Sequence, residues 1–280
     1  MTCKTILVHL HDLGRADRLL RAAIPLARAH GAHLIALAVI PPYVVIPASA
    51  AAGASVTVDE HRLAYRQDMT KLKTRFEDLC RSEQLSIEWR EADSGFGTPA
   101  AQIMEHGRSA DLLIIAQKDP GWSYSSYLEE PDRIAVECGR PLLLLPNMGN
   151  INLPPKRALI AWNGTREAAR AVADAIPLMP PGTDVTILWV DPTNDRHSAG
   201  DVPGADLATA LSRHGLRCEA TFIRTTSGDA GAAILREAAA RNVDLIVMGV
   251  YGHSRLREFL LGGVSRDVFA RMDRPVLMSH

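Results

Sequence analysis

The residues of this chain best suited to chemistry are glycines set at long intervals behind an apolar run. After Leu245-Ile246-Val247-Met248 the sequence reads Gly249-Val-Tyr-Gly252-His-Ser-Arg-Leu-Arg-Glu-Phe-Leu-Leu-Gly262-Gly263-Val264-Ser265-Arg266. A buried strand that ends in Gly-x2-Gly and re-enters a helix through Gly-Gly-Val-Ser can bring bare backbone N–H groups to a bound anion, typically phosphate. Neither common phosphate loop fits: there is no Gly-Lys-Ser/Thr, and no Gly-x-Gly-x-x-Gly follows the first strand of either half. His253, Ser254, Arg255, Arg257 and Arg266, broken only by Glu258, make the segment basic. A triphosphate would be drawn to it, while solvated surface charge would read the same way. Ser265 is either an oxygen ligand near a helix start or a helix cap.

The elements that must position these glycines come from a long internal repeat. Arg140-Pro-Leu-Leu-Leu-Leu-Pro146 is matched by Arg274-Pro-Val-Leu-Met-Ser-His280, and Ala110-Asp-Leu-Leu-Ile-Ile-Ala116 by Val243-Asp-Leu-Ile-Val-Met-Gly249. So long a period is a duplicated domain, since solenoid units are far shorter. Each half alternates short β-branched runs with Ala-rich segments of helical period, the pattern of a parallel sheet covered by helices on both faces. The expectation is α/β, two tandem doubly wound domains over 1–147 and 155–280, each a mainly parallel five-stranded sheet. Strands are predicted over 5–10, 33–39, 86–91, 111–116 and 141–145, then 157–162, 184–190, 217–223, 244–249 and 275–278. Helices are predicted over 15–30, 59–83, 98–109 and 126–138, then 165–178, 202–214, 229–242 and 263–272. Residues 146–155 read as the linker.

The spacing Gly-x2-Gly-x9-Gly, set in such a repeat, resembles the ATP-binding signature of the universal stress protein family, and the chain is identified as a tandem member of it. The resemblance implies an adenine nucleotide, ATP or AMP/ADP, with magnesium accompanying the triphosphate, and a stress-associated regulatory role. It implies phosphate on Gly249, Gly252, Gly262, Gly263, Val264 and Ser265, with His253 and Arg255 beside it. Gly263 stands where the family has Ser or Thr, which removes a hydroxyl but keeps the N–H. The family ends its first strand in an Asp followed by Gly-Ser that contacts adenosine, and the matching residues here are Ala161, Trp162 and Asn163, followed by Gly164-Thr165. An amide donates and accepts hydrogen bonds without negative charge. Val190, at the end of the next strand, is where the family packs adenine; an ordinary core valine reads identically. Trp162 would stack on a base or fill the interface between sheet and helix.

The first half departs from this pattern. Where the second has its glycines, the first has Ala116-Gln-Lys-Asp-Pro-Gly-Trp-Ser-Tyr-Ser-Ser-Tyr-Leu-Glu-Glu, a loop of clustered aromatics over 117–130 with one glycine. The first domain is therefore read as lacking nucleotide binding and serving a structural or regulatory role. It also carries Pro41 to Thr57, a nearly charge-free insertion that is either a surface loop or a partner-binding arm. His9 and His11 share a face of the first strand and invite a metal, but no cysteine or carboxylate stands at ligand spacing, which favours hydrogen-bonded histidines.

Composition narrows the function classes. At 280 residues the chain suits two domains, and a net charge of −1 gives no general attraction to nucleic acid or acidic membrane. The longest uncharged stretch, Leu34 to Val58, is cut by Pro41, Pro42 and Pro47 and is no membrane span. The start is no signal peptide, and Cys3, Cys80, Cys138 and Cys218 lack zinc spacing, so reduced thiols in a cytoplasm are expected. No Gly-x-Ser-x-Gly elbow, zinc motif or nucleophile and base pair is present; the resemblance implies slow ATP hydrolysis at most. Family members often pair through their last strands, so Leu142 to Leu145 beside Val276 to Met278 would make an intramolecular pseudo-dimer, with room for a further homodimer. The alternatives are a nucleotide-free module for a hydrophobic small molecule or protein partner, and an enzyme acting on the α-phosphate of adenine nucleotides.

Overall fold

A computed structural model describes residues 2–43, 55–121, 130–191, 202–225, 228–250 and 263–280. The chain forms two compact units that divide between Cys138 and Gly139. The first contains β1 (Thr5–His9), α1 (Leu13–His30), β2 (His33–Ile40), α2 (Ser55–Arg81), β3 (Ile87–Asp93), α3 (Pro99–Gly107), β4 (Leu112–Ala116) and α4 (Pro131–Glu137). Its strands run parallel in the order β3-β2-β1-β4. Helix α1 packs on α2, and α3 on α4, giving the two helical layers of a doubly wound unit.

The second unit contains β5 (Leu142–Leu145), β6 (Arg157–Ala161), α5 (Arg166–Ala175), β7 (Asp184–Val190), α6 (Ala205–Ser212), β8 (Arg217–Ile223), α7 (Ala230–Ala240), β9 (Leu245–Gly249), α8 (Gly263–Arg271) and β10 (Val276–Ser279). The strand order is β5-β10-β9-β6-β7-β8, parallel except for β5 against β10. Val276 faces Leu144, Leu277 faces Leu143 and Met278 faces Leu142, the pairing of last strands expected from the repeat. β5 closes the first repeat in sequence yet belongs to the second compact unit.

Local chemistry explains why these segments form. Strands β5 and β9 are continuous apolar runs because both faces of the sheet are covered there, and Leu142 to Leu144 are fully buried, as are Leu245 to Val247. Asp12 accepts the Gly14 N–H at 3.0 Å and caps α1, whose buried stripe Ala16, Leu19, Leu20, Ala23, Leu26 and Ala27 follows helical period. Gly31, at φ 57°, ends that helix. The repeated aspartates have one job twice over: Asp111 accepts the N–H groups of Lys4 and Thr5, and Asp244 those of Lys156 and Arg157. Each pins the start of its repeat's first strand to the start of the fourth. Buried Arg274 donates to the carbonyls of Ala238 and Val243, tying the last strand's entry to the end of α7.

Two boundaries moved for physical reasons. Helix α2 begins at Ser55, inside the stretch expected to be loop, because no proline beyond Pro47 interrupts it. The helix predicted over 165–178 stops at Ala175 and tightens into a 3-10 turn over Ile176–Leu178, since Pro177 has no N–H to continue the α ladder. Residues 44–54 of the insertion and 122–129 of the aromatic loop lie outside the described residues.

Candidate functional site

Chain direction dictates where a ligand would gather in the second unit. From β6 the chain moves outward through β7 and β8, then returns to β9 on the other side of β6 and continues to β10. The connections diverge between β6 and β9, and ligands of doubly wound sheets collect at the carboxyl edge of such a switch point. Register brings the expected residues to that edge: Ala161 pairs with Leu188 on one side and Met248 on the other, and Gly249 pairs with Ser279. Val190, half-buried, ends β7 beside Ile223. Gly252, His253, Arg255 and Gly262 lie outside the described residues; Gly263, Val264 and Ser265 form the first turn of α8, with Gly263 exposed and Ser265 buried.

Asn163 is oriented by its neighbour. Its Oδ1 accepts from the Thr165 N–H at 3.2 Å and from Thr165 Oγ1 at 2.8 Å, while Thr165 Oγ1 accepts the Ala168 N–H at 3.3 Å and caps α5. The carbonyl side of the amide is thus spent on the turn, and the exposed side chain presents its Nδ2 donors outward. It suits a ring nitrogen or a ribose oxygen.

Gly249 has a packing reason to be glycine beside the one its spacing implied. A Cβ there would stand 2.5 Å from the Ala168 nitrogen and 2.6 Å from the Glu167 carbonyl carbon, so the strand end lies directly against the first turn of α5. Its role is close packing of helix on strand. At Gly263, by contrast, a Cβ meets nothing within 4 Å among the described residues. Trp162 is half-buried with its side chain against the turn at Gly204, and its backbone N–H donates to the Leu188 carbonyl.

Sequence reasoning assigned no role to a brace beside Val190. Asp191, in the left-handed region at φ 49°, accepts from the Thr225 N–H at 2.6 Å and from Thr225 Oγ1 at 2.5 Å, and Thr225 Oγ1 in turn accepts the Gly228 N–H at 3.1 Å. The Thr225 hydroxyl and backbone bonds hold the Asp191 carboxyl below its usual range. This ties the end of β7 to the end of β8. The only signal in sequence was an Asp directly after an apolar strand, since Thr225 is remote along the chain.

The first unit's matching edge carries different residues. Ala116 and Gln117 stand where the second unit has Gly249, and the Gln117 carbonyl accepts from Arg15 Nη1 at 3.2 Å. Among the described residues no group of three or more His, Cys, Asp or Glu could hold a metal, and no helix is long and apolar enough to cross a membrane. All four cysteines are free thiols.

Residues 155–280 match the family model described as "Universal stress protein family". The second half is a universal stress protein domain. It begins just before β6 and runs through β10. No curated protein matches the sequence. Among solved structures, the chain is similar to a universal stress protein from Archaeoglobus fulgidus DSM 4304, at 15% identity and a TM-score of 0.74, covering 98% of this chain and 95% of that one. It is also similar to a functionally unknown protein from Pseudomonas aeruginosa PAO1, at 17% identity and a TM-score of 0.60, covering 99% and 92%. At these identities the likeness is one of fold. The α/β, doubly wound fold is thus shared along the whole chain, and the family match along its second half.

Proposed function

We propose that the universal stress protein domain binds an adenine nucleotide, ATP or its relatives ADP and AMP, at the carboxyl edge of β6, β7 and β9, and that the protein is a stress-associated regulator acting in the cytoplasm. The observation that carries this reading is the convergence of Ala161 to Asn163, Val190 and Gly249 on one switch point, in a domain that matches the family. The outward donors of Asn163 fit the adenosine end, and the start of α8 at Gly263 fits phosphate, because backbone N–H groups at a helix N-terminus favour anions. Gly252, His253, Arg255 and Gly262 complete the phosphate side. Magnesium would accompany a triphosphate. The first domain is the structural partner, and the last strands of the two repeats, β5 and β10, pair inside the second unit.

Calorimetric titration of the intact protein with ATP, ADP and AMP, with and without magnesium, tests this. Gly252→Val and Gly262→Val should abolish binding with little change in far-UV circular dichroism, because a side chain obstructs phosphate or opposes the backbone angles. Both variants folding and binding unchanged would place the ligand elsewhere. Metal-dependent turnover would instead favour a slow hydrolase.

A nucleotide-free module has one observation in its favour. Tyr43 and Phe96, 43% and 83% exposed, have ring centroids 5.3 Å apart next to the apolar insertion, with Arg62 3.9 Å over the Tyr43 ring. On that reading nucleotide leaves stability unchanged and an apolar dye binds at Phe96.

A further inference from the structure

The order β3-β2-β1-β4 gives the first unit its own switch point, between β1 and β4. Its residues there are unlike those of the second unit. His9 and His11, each only 3% exposed, stack with ring centroids 4.7 Å apart. Arg15, from the first turn of α1, approaches His11 Nε2 at 2.9 Å, Asp12 at 2.8 Å and the Gln117 carbonyl. An arginine can only donate, so His11 Nε2 accepts and His11 carries its proton on Nδ1. His9 Nε2 is buried and has no hydrogen-bond partner among the described residues. Leaving such an atom unsatisfied costs about 1 to 3 kcal/mol, a cost that a bound partner reaching it would remove.

We propose that this edge of the first unit is a second ligand site, which receives a small oxyanion, a carboxylate or phosphate group, at His9 Nε2 beside Arg15. A cation does not fit: His11 Nε2 is spent on Arg15, and the guanidinium repels a metal approaching His9. The charged and titratable groups around the site are His11 and the N-cap Asp12 between β1 and α1, Arg15 on α1, and Tyr65 on α2, whose hydroxyl lies near enough to Asp12 to be influenced by its charge. Asp12 is neutralised by Arg15, which leaves His9 as the group whose protonation an anion would reward. Burial, His11 and Arg15 hold the His9 pKa well below 6.5 in the free protein. Oxyanion binding should therefore take up a proton. The site is independent of the nucleotide reading of the second domain.

The test is carried out on the full-length protein with carbon-13 histidine, following the His9 Cε1–H resonance while inorganic phosphate, acetate or chloride is added at matched ionic strength. His9→Gln assigns the resonance; if that variant does not fold, through-bond backbone correlation assigns it instead. We expect saturable movement with an oxyanion and not chloride, a His9 pKa raised by about one pH unit in its presence, and roughly tenfold weaker binding in Arg15→Gln. Movement by phosphate alone or acetate alone identifies which oxyanion the site takes. Equal responses to chloride and to both oxyanions, or no saturable response to any of them, would overturn the proposal and leave water as the partner of His9. If Arg15→Gln unfolds, the contrast between oxyanion and chloride in the native chain decides the matter.

Discussion

At the scale of single residues, two glycines of one motif are expected to behave oppositely. Gly249→Ala forces a methyl group against the backbone of Glu167 and Ala168, and overpacking of this kind costs about 1 to 3 kcal/mol. A lowered urea midpoint would register it, whether or not nucleotide is present. Gly263→Ser has open space for its Cβ, and restores a hydroxyl at the start of α8. Folding stability should scarcely change, while ATP should bind a few fold to about tenfold more tightly by calorimetry, because a hydrogen bond to charged phosphate is worth more than a neutral one. Asn163→Asp keeps the acceptor for Thr165 but replaces the outward donors with a charge, so it should help less. Unchanged affinity in both variants would mean that neither position faces the ligand. His9 supplies a pH signature. Its pKa is depressed by burial first and by His11 and Arg15 after, so the unfolded chain takes up a proton below about pH 6.5 that the folded chain refuses. Stability should fall with pH from there by up to about 1.4 kcal/mol per pH unit, and urea titrations at several pH values should show a flatter slope in His9→Gln.

At the scale of elements, the informative piece is β5. Three of its four leucines pair along β10 and all four are almost wholly excluded from water, although in sequence they end the first repeat. A fragment of residues 155–280 would expose the edge of β10 with Val276, Leu277 and Met278, an invitation to aggregation. The fragment 139–280 keeps that edge covered. It should be the better behaved of the two in sedimentation and thermal melts, and equal behaviour would show that β5 contributes little. Most elements were legible in the sequence within a few residues because both units are built of short apolar runs between Ala-rich helices. What shifted was governed by proline: Pro177 converts the last turn of α5 to 3-10 form, and the absence of proline after Pro47 lets α2 start early.

For the whole molecule, ATP at about 100 times its dissociation constant should stabilise the nucleotide-binding unit by about 2.7 kcal/mol. Two transitions are expected in calorimetry if the units unfold separately, with only that of 139–280 moving. A shift confined to the first transition would reverse the assignment of roles between the two halves.

The sequence by itself determined the duplication, the α/β class and the residues that reach the carboxyl edge of β6, β7 and β9, because periodicity and repeated strand ends are local properties of the chain. Only the tertiary structure decided that Gly249 accommodates a helix start, that Asn163 turns its donors outward, and that Asp191 is locked by Thr225. Each of these depends on which backbone or side chain approaches from another element, and an approach of that kind leaves no mark on spacing. The same holds for His9 and His11: their period-two spacing placed them on one face, but their burial, their stacking and the approach of the Arg15 guanidinium come from α1 folding back over β1.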